Sequence, residues 1–246
     1  MPEAVFRFFD ELNDFLPREK QRVNILVSFN GHETVKHLLE SLGVPHTEVD
    51  VILVNDISVD FSYRMVDHDQ VSVYPLSEDL DFTSVKHLRP QPPHGLRFIL
   101  DGHLGKLASY LRLLGFDTLY RNDFEDQELA EISSSEQRIL LSRDRGLLKR
   151  GQVTHGYCVR SKSSREQIIE VLKQFDLVEK IKPFSRCARC NGLLIPVAKE
   201  DIYDRLEPKT KLFYDEFRIC DRCDQVYWKG SHYARLQTLV AGAAGQ

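Results

Sequence analysis

The sequence predicts three consecutive folded segments: an α+β unit, a parallel α/β unit and a small cysteine-bearing segment. Three observations predict this. The first 75 residues read as Val- and Ile-rich strands around one amphipathic helix, residues 97 to 175 alternate strands with helices, and two C-x-x-C pairs fall in the last quarter of the 246 residues.

The first segment, residues 1–88, opens with a strand around Val5 to Phe9 and a second in RVNILVSF. A helix follows from Thr34 to Leu42, with Val35, Leu38, Leu39 and Leu42 on one face and Gly43 as its stop. VDVILVN and QVSVYP supply the remaining strands, and Asn55-Asp56 marks a turn. The order is β-β-α-β-β. That order, with the pieces VILVND, V.F.Y.M.DHD and VSVYP, resembles the ubiquitin-like (β-grasp) fold of the small sulfur carriers of thiamine and molybdopterin synthesis. Those carriers act through a free C-terminal Gly-Gly, whereas this chain runs on through PLSEDLDF. The resemblance therefore implies an adaptor or packing module, with a possible protein partner, and no thiolation chemistry.

LRPQPPHG, residues 88 to 95, carries three prolines and a glycine, which resist both helix and sheet, and so reads as a linker. After it comes the second segment, residues 96–182: strand RFIL, helix His103 to Leu114, strand FDTLY, helix Asp126 to Ser134, strand RILLS, a short helix near Leu147, strand GYCVR and helix Ser164 to Phe175. In the first of these helices Leu104, Leu107, Ala108, Leu111 and Leu114 form one apolar stripe, and Gly115 is its left-handed stop. Cys158, in GYCVR, reads as a buried thiol.

This arrangement puts Asp101 at the carboxyl end of a buried strand, just before a helix, on the rim where open α/β sheets bind ligands. Asp144 ends the run RILLSRD and Asp126 opens the next helix, 18 and 25 residues from their neighbours in the series. Clustered carboxylates repel unless a divalent cation or a proton compensates, and hard oxygen donors suit magnesium or manganese. Such a metal lowers the pKa of bound water and stabilises an attacked phosphate. Asp126 also fits a plain helix N-terminal role, while Asp123 and Glu125 read as loop acids. Lys106, on the polar face of the first helix, either reaches a phosphate or merely solvates the helix, and Arg143 and Arg145 would hold a phosphodiester through bidentate bonds; with Arg112 these are the expected contacts to a nucleic-acid backbone. Phosphoryl transfer onto Asp101 itself would need a second acid two residues on, where His103 stands.

LDGHLGKLASYLRLLGFDTLY, ND.ED.ELAEI and RILLSRDRGLLKR together resemble the PIN-like ribonuclease domain of the Mut-seven-C RNase family, over about Arg97 to Leu236. The resemblance implies a parallel PIN-like sheet, strand-end aspartates that bind a divalent metal, and water activated for RNA cleavage. That role maps onto Asp101, Asp144 and Asp126. PIN domains commonly place a fourth acid after the next strand, yet GYCVRSKSS supplies none.

The third segment, residues 183–238, holds Cys187-x-x-Cys190 and Cys220-x-x-Cys223, separated by 29 residues and each followed by strand-like sequence, GLLIPV and QVYW. Two such knuckles give four thiolates to one tetrahedron, so a structural zinc ribbon is expected, with a spacer longer than usual. A redox pair normally occurs once and opens a helix. Tyr227, Trp228 and Tyr233, beside Lys229 and Arg235, either stack on bases or pack a core, and His232 is a weak further ligand.

The net charge of −4 hides an asymmetry: residues 1 to 95 hold 8 basic against 16 acidic side chains, and the remainder 25 against 21. Between Arg138 and Arg165 stand eight basic residues and, before Glu166, one acid, which reads either as a polyanion site or as a solvated face. No apolar run is long enough to span a bilayer, and the start carries no secretion pattern, so a cytoplasmic protein is expected. The functional expectation is a metal-dependent ribonuclease, and its alternative a non-catalytic RNA-binding or adaptor protein.

Overall fold

The computed structural model describes residues 1–76, 85–89, 95–230 and 240. Most of the expected linker at 88–95 lies outside the described residues, as do His232, Tyr233, Arg235 and most of the C-terminal tail.

In chain order the elements are β1 (Glu3–Phe8), β2 (Ile25–Ser28), α1 (Val35–Ser41), β3 (Val51–Val54), β4 (Ile57–Val59) and β5 (Gln70–Tyr74). They continue with β6 (Arg97–Leu100), α2 (Gly105–Leu113), β7 (Asp117–Tyr120), α3 (Asp126–Ser135), β8 (Ile139–Ser142), α4 (Arg145–Leu148), β9 (Gly156–Cys158) and α5 (Ser164–Gln174). The last are β10 (Leu194–Val197), α6 (Pro208–Phe213), β11 (Phe217–Cys220) and β12 (Val226–Trp228). Their internal contacts divide the chain into two compact units, Met1–Pro93 with Asp126–Cys158, and His94–Glu125 with Val159–Gln246.

The first unit contains the ubiquitin-like domain. Its sheet has the order β2-β1-β5-β3-β4, with β1 parallel to β5 and every other pair antiparallel. Alternation along β1 buries Ala4, Phe6 and Phe8, and Val35, Leu38 and Leu39 of α1 are buried too. Thr34 caps α1 by accepting the His37 N–H. β4 was not expected; it follows Asn55 and Asp56, both at positive φ (49° and 65°), so the turn signal there closes a hairpin.

The same unit includes β8 and β9, a parallel pair, with α3 and α4. Hydrogen bonds run between these and the ubiquitin-like residues. The Glu48 carboxylate accepts the Cys158 N–H at 2.6 Å, His46 Nε2 lies 3.0 Å from the Val153 carbonyl, and Lys149 Nζ donates to the Glu40 carbonyl at 2.6 Å. Cys158 is buried, as its sequence context suggested.

In the second unit β6 and β7 run parallel, joined by α2, whose apolar stripe is buried as its spacing required. Phe98 of β6 meets the rings of Phe116 and Phe175 edge-on. The outward backbone groups of Thr118 in β7 are satisfied by side chains: its N–H donates to Asn191 Oδ1 at 3.1 Å, and its carbonyl accepts from Arg112 Nε at 2.9 Å. Strands β10, β11 and β12 form an antiparallel ribbon. The long spacer between the cysteine pairs holds α6, a 3-10 segment at Glu200–Arg205 and most of β11, and its Ile202, Leu206 and Phe217 build a small core with Val226 of β12.

Candidate active site and cysteine centre

Asp101 follows β6 directly and precedes a 3-10 turn, Gly102–Leu104, that runs into α2. Its carbonyl accepts the Leu104 N–H at 2.9 Å, its side chain does not cap the turn, and the residue is half-buried. Asp144 lies two residues beyond β8 and is exposed. Its Oδ1 accepts from the N–H groups of Gly146, at 2.6 Å, and Leu147, at 3.4 Å, so it caps α4. Asp144 is thus the N-cap of α4, a role in addition to its place at the end of the RILLSRD run. Asp126 is the first residue of α3, exposed, with Oδ2 3.8 Å from Arg150 Nη2. Asp123 is engaged by Arg121 at 3.0 Å, and the hydrogen bond from that guanidinium holds its carboxyl below the ordinary range.

No acid follows β9 locally, but α5 brings one through space. The Glu170 carboxylate accepts the backbone N–H groups of Arg160 at 2.7 Å and Ser161 at 2.9 Å. Nothing in the spacing of Glu170 from β9 signals this pairing.

The expected RNA contacts divide. Lys106 and Arg143 are exposed. Arg112 is 4% exposed, and its guanidinium donates to the carbonyls of Thr118, Ala188 and Arg189. Burial lowers its pKa, and with three carbonyls around it Arg112 is a structural cation facing the knuckle rather than a phosphate contact. Arg145 donates to the carbonyls of Phe15 and Asp14, at 2.7 and 3.3 Å, and stacks over the Phe15 ring. Arg145 is nonetheless an exposed residue, unlike the buried Arg112. Arg138, paired with Glu136 at 2.7 Å, Lys149 and Arg150 are also engaged within the protein.

Among the described residues, one group of metal-ligating side chains has its donor atoms within sharing distance: Cys187, Cys190, Cys220 and Cys223, whose sulfurs all lie within 4.8 Å of one another. Cys187 and Cys223 Sγ are 3.6 Å apart, and Cys190 and Cys220 Sγ 3.4 Å. A zinc tetrahedron with bonds of about 2.3 Å has edges of about 3.8 Å, so the sulfurs fit that ion. The two knuckles share one backbone pattern. Cys187 N–H donates to Gly192 O and Asn191 N–H to Cys187 O; Cys220 N–H donates to Gln225 O and Asp224 N–H to Cys220 O. The residue after each second cysteine, Asn191 or Asp224, takes a positive φ, 67° and 53°. A metal held by all four sulfurs would have no open position, the arrangement of structural zinc sites.

Sequence reasoning missed a fifth side chain here. Tyr227 Oη lies 3.1 Å from Cys187 Sγ. Burial pushes the Cys187 thiol up, but the Tyr227 hydroxyl and the N–H groups of Cys190 and Arg189 outweigh it and bring the thiol down to about 7. Burial pushes Cys190 up to about 12. Of the two expectations for Tyr227, core packing holds, since the ring packs against the buried cluster of Cys187, Leu194 and Cys220, and its hydroxyl in addition reaches the Cys187 sulfur.

Comparison with known proteins agrees with this architecture. Residues 96–240 match the model of the Mut7-C RNAse domain, and residues 1–81 that of the Mut7-C ubiquitin domain. Two crystal structures of a small archaeal modifier protein, SAMP1 from Haloferax volcanii, are similar at 15% identity and a TM-score of 0.26. They cover 31% and 32% of this chain, and 100% and 99% of their own. No curated protein matches the chain. With more than half of its length matched, the chain belongs to the Mut7-C RNAse domain family, and a Mut7-C ubiquitin domain stands ahead of that domain.

Proposed function

We propose that the protein is a metal-dependent ribonuclease in which Asp101, Asp144 and Asp126 hold magnesium or manganese, and the ion activates a water for attack on an RNA phosphodiester. The observation that carries this reading is the family match over residues 96–240, taken with Asp101 standing at the carboxyl end of β6 before a helix N-terminus. Oxygen donors suit either ion. Lys106 and Arg143, both exposed, would contact phosphates. The four cysteines fit structural zinc, and keeping them as thiols suits a reducing cytoplasm. No described helix is long and apolar enough to cross a membrane. The ubiquitin-like domain would serve a protein partner in addition to its packing role.

The test is incubation of the full chain with single-stranded and structured RNA plus magnesium or manganese, a chelator control, and Asp101→Asn with Asp144→Asn. Loss of cleavage in the double variant with an unchanged fold is expected. Unchanged turnover would refute the mechanism.

Two observations favour a second reading, a non-catalytic RNA-binding protein: Asp144 Oδ1 is engaged by two backbone N–H groups, and Asp126 faces a guanidinium. That reading predicts RNA retention without metal-dependent degradation.

A further inference from the structure

Within the second unit, one hydroxyl holds the turn that carries Asp101. Tyr120 ends β7, and the strand register places it beside Leu100, the residue before Asp101. Its Oη donates to the carbonyl of Gly102 at 2.9 Å, so the bond lands on the residue immediately after Asp101. The phenol fits because residue 105 is glycine: a Cβ there would stand 2.6 Å from Tyr120 Oη and 2.9 Å from its Cζ, closer than real Cβ contacts come. The Asp101 carbonyl is fixed in turn by the Leu104 N–H at 2.9 Å. Behind the ring, Arg112 braces β7 through the carbonyls of Thr118, at 2.9 Å, and Tyr120, at 3.5 Å. The backbone from which the Asp101 side chain departs is therefore tied at its own carbonyl and at the next one.

We propose that Tyr120 is the positioning residue for Asp101, its hydroxyl holding the Gly102 carbonyl, and with it the turn that leaves Asp101, so that the carboxylate is presented at one angle to a divalent cation. The proposal rests on the reading of Asp101 as a metal ligand. Functional groups of this kind tolerate about 0.5 Å of displacement, and losing an outer partner of a metal ligand typically weakens binding about 10- to 100-fold. A carbonyl that has lost its donor can pivot, and the carboxylate one residue away pivots with it.

Two substitutions in the full, zinc-loaded chain test this. Tyr120→Phe removes only the hydroxyl; Gly105→Ala crowds it off its acceptor. The readouts are exchange of the Leu104 amide by NMR, manganese affinity by EPR, and the metal dependence of RNA cleavage. Leu104 should exchange about fivefold faster in Tyr120→Phe while the buried Ile99 amide is unchanged, as the loss of one hydrogen bond predicts. Manganese affinity should fall about tenfold, with turnover at saturating metal retained. A merely structural role would leave that split between metal affinity and turnover unmoved. Wild-type Leu104 exchange and manganese affinity in Tyr120→Phe would overturn the proposal, whether or not Gly105→Ala folds. Asp101→Asn separates the two ideas: an inactive Asp101→Asn beside a wild-type Tyr120→Phe sinks the positioning role alone, whereas full metal binding and cleavage by Asp101→Asn removes the underlying reading and the proposal with it.

Discussion

Asn191 donates from Nδ2 to Asp117 Oδ1 at 2.9 Å, while its own Oδ1 accepts the Thr118 N–H at 3.1 Å. One side chain from the first cysteine knuckle thus serves two adjacent residues of β7, and does so from a left-handed backbone at φ 67°. Asn191→Gly keeps the backbone conformation and loses both bonds, so a destabilisation of about 1–3 kcal/mol is expected. Asn191→Ala adds a left-handed cost of about 1–2 kcal/mol. Urea unfolding of the zinc-loaded chain checks the ranking, Ala below Gly below the parent.

The Tyr227 hydroxyl at Cys187 predicts an effect on metal retention. Tyr227→Phe should weaken zinc affinity about tenfold with little change in the ribbon's fold. Competition against a chromophoric chelator measures this, and equal affinities would mean that the 3.1 Å approach does not act on the ligand.

Zinc binding should tighten as pH rises from 6 to 8. In the metal-free centre burial raises Cys190 to about 12 and also raises Cys223, so both thiols are protonated across that window. Zinc must displace those protons, and rising pH relieves the competition. Chelator competition at three pH values would show it; a flat profile would contradict the shifts.

Asp144 has two separable roles. Asn at position 144 keeps a capping oxygen, so Asp144→Asn should stay within about 0.5 kcal/mol of the parent stability, whereas Asp144→Ala should lose about 1 kcal/mol. If the charge matters for catalysis, both lose cleavage equally. Thermal unfolding beside an RNA cleavage assay distinguishes cap from charge.

Strands and helices were legible because burial imposes periods of 2 and 3.6 on the sequence, as in Ala4, Phe6, Phe8 and in the Leu104 to Leu114 stripe. β4 escaped because three residues are too few to show alternation, although the Asn55-Asp56 turn beside it was visible. The cysteine knuckles were legible because coordination chemistry fixes both residue type and spacing. The arginines were not: Arg112, Arg143 and Arg145 are alike in sequence, and only tertiary structure shows that Arg112 and Arg145 meet carbonyls 76 and 130 residues away. The cap at Asp144 was signalled by its place ahead of Arg-Gly-Leu-Leu. The hydroxyls of Tyr120 and Tyr227 carry no spacing rule at all, since their partners are a loop carbonyl and a sulfur reached only through folding.

Lys149 and Arg145 grip carbonyls of Glu40, Asp14 and Phe15, and the Glu48 carboxylate closes the amide of Cys158. A gene fragment opened after the proline-rich stretch would keep α3, β8, α4 and β9 yet strip away the acceptors of Arg145 and Lys149 and leave the buried Cys158 amide without its carboxylate. Such a fragment should be less stable than the full chain, as urea unfolding of the two would show.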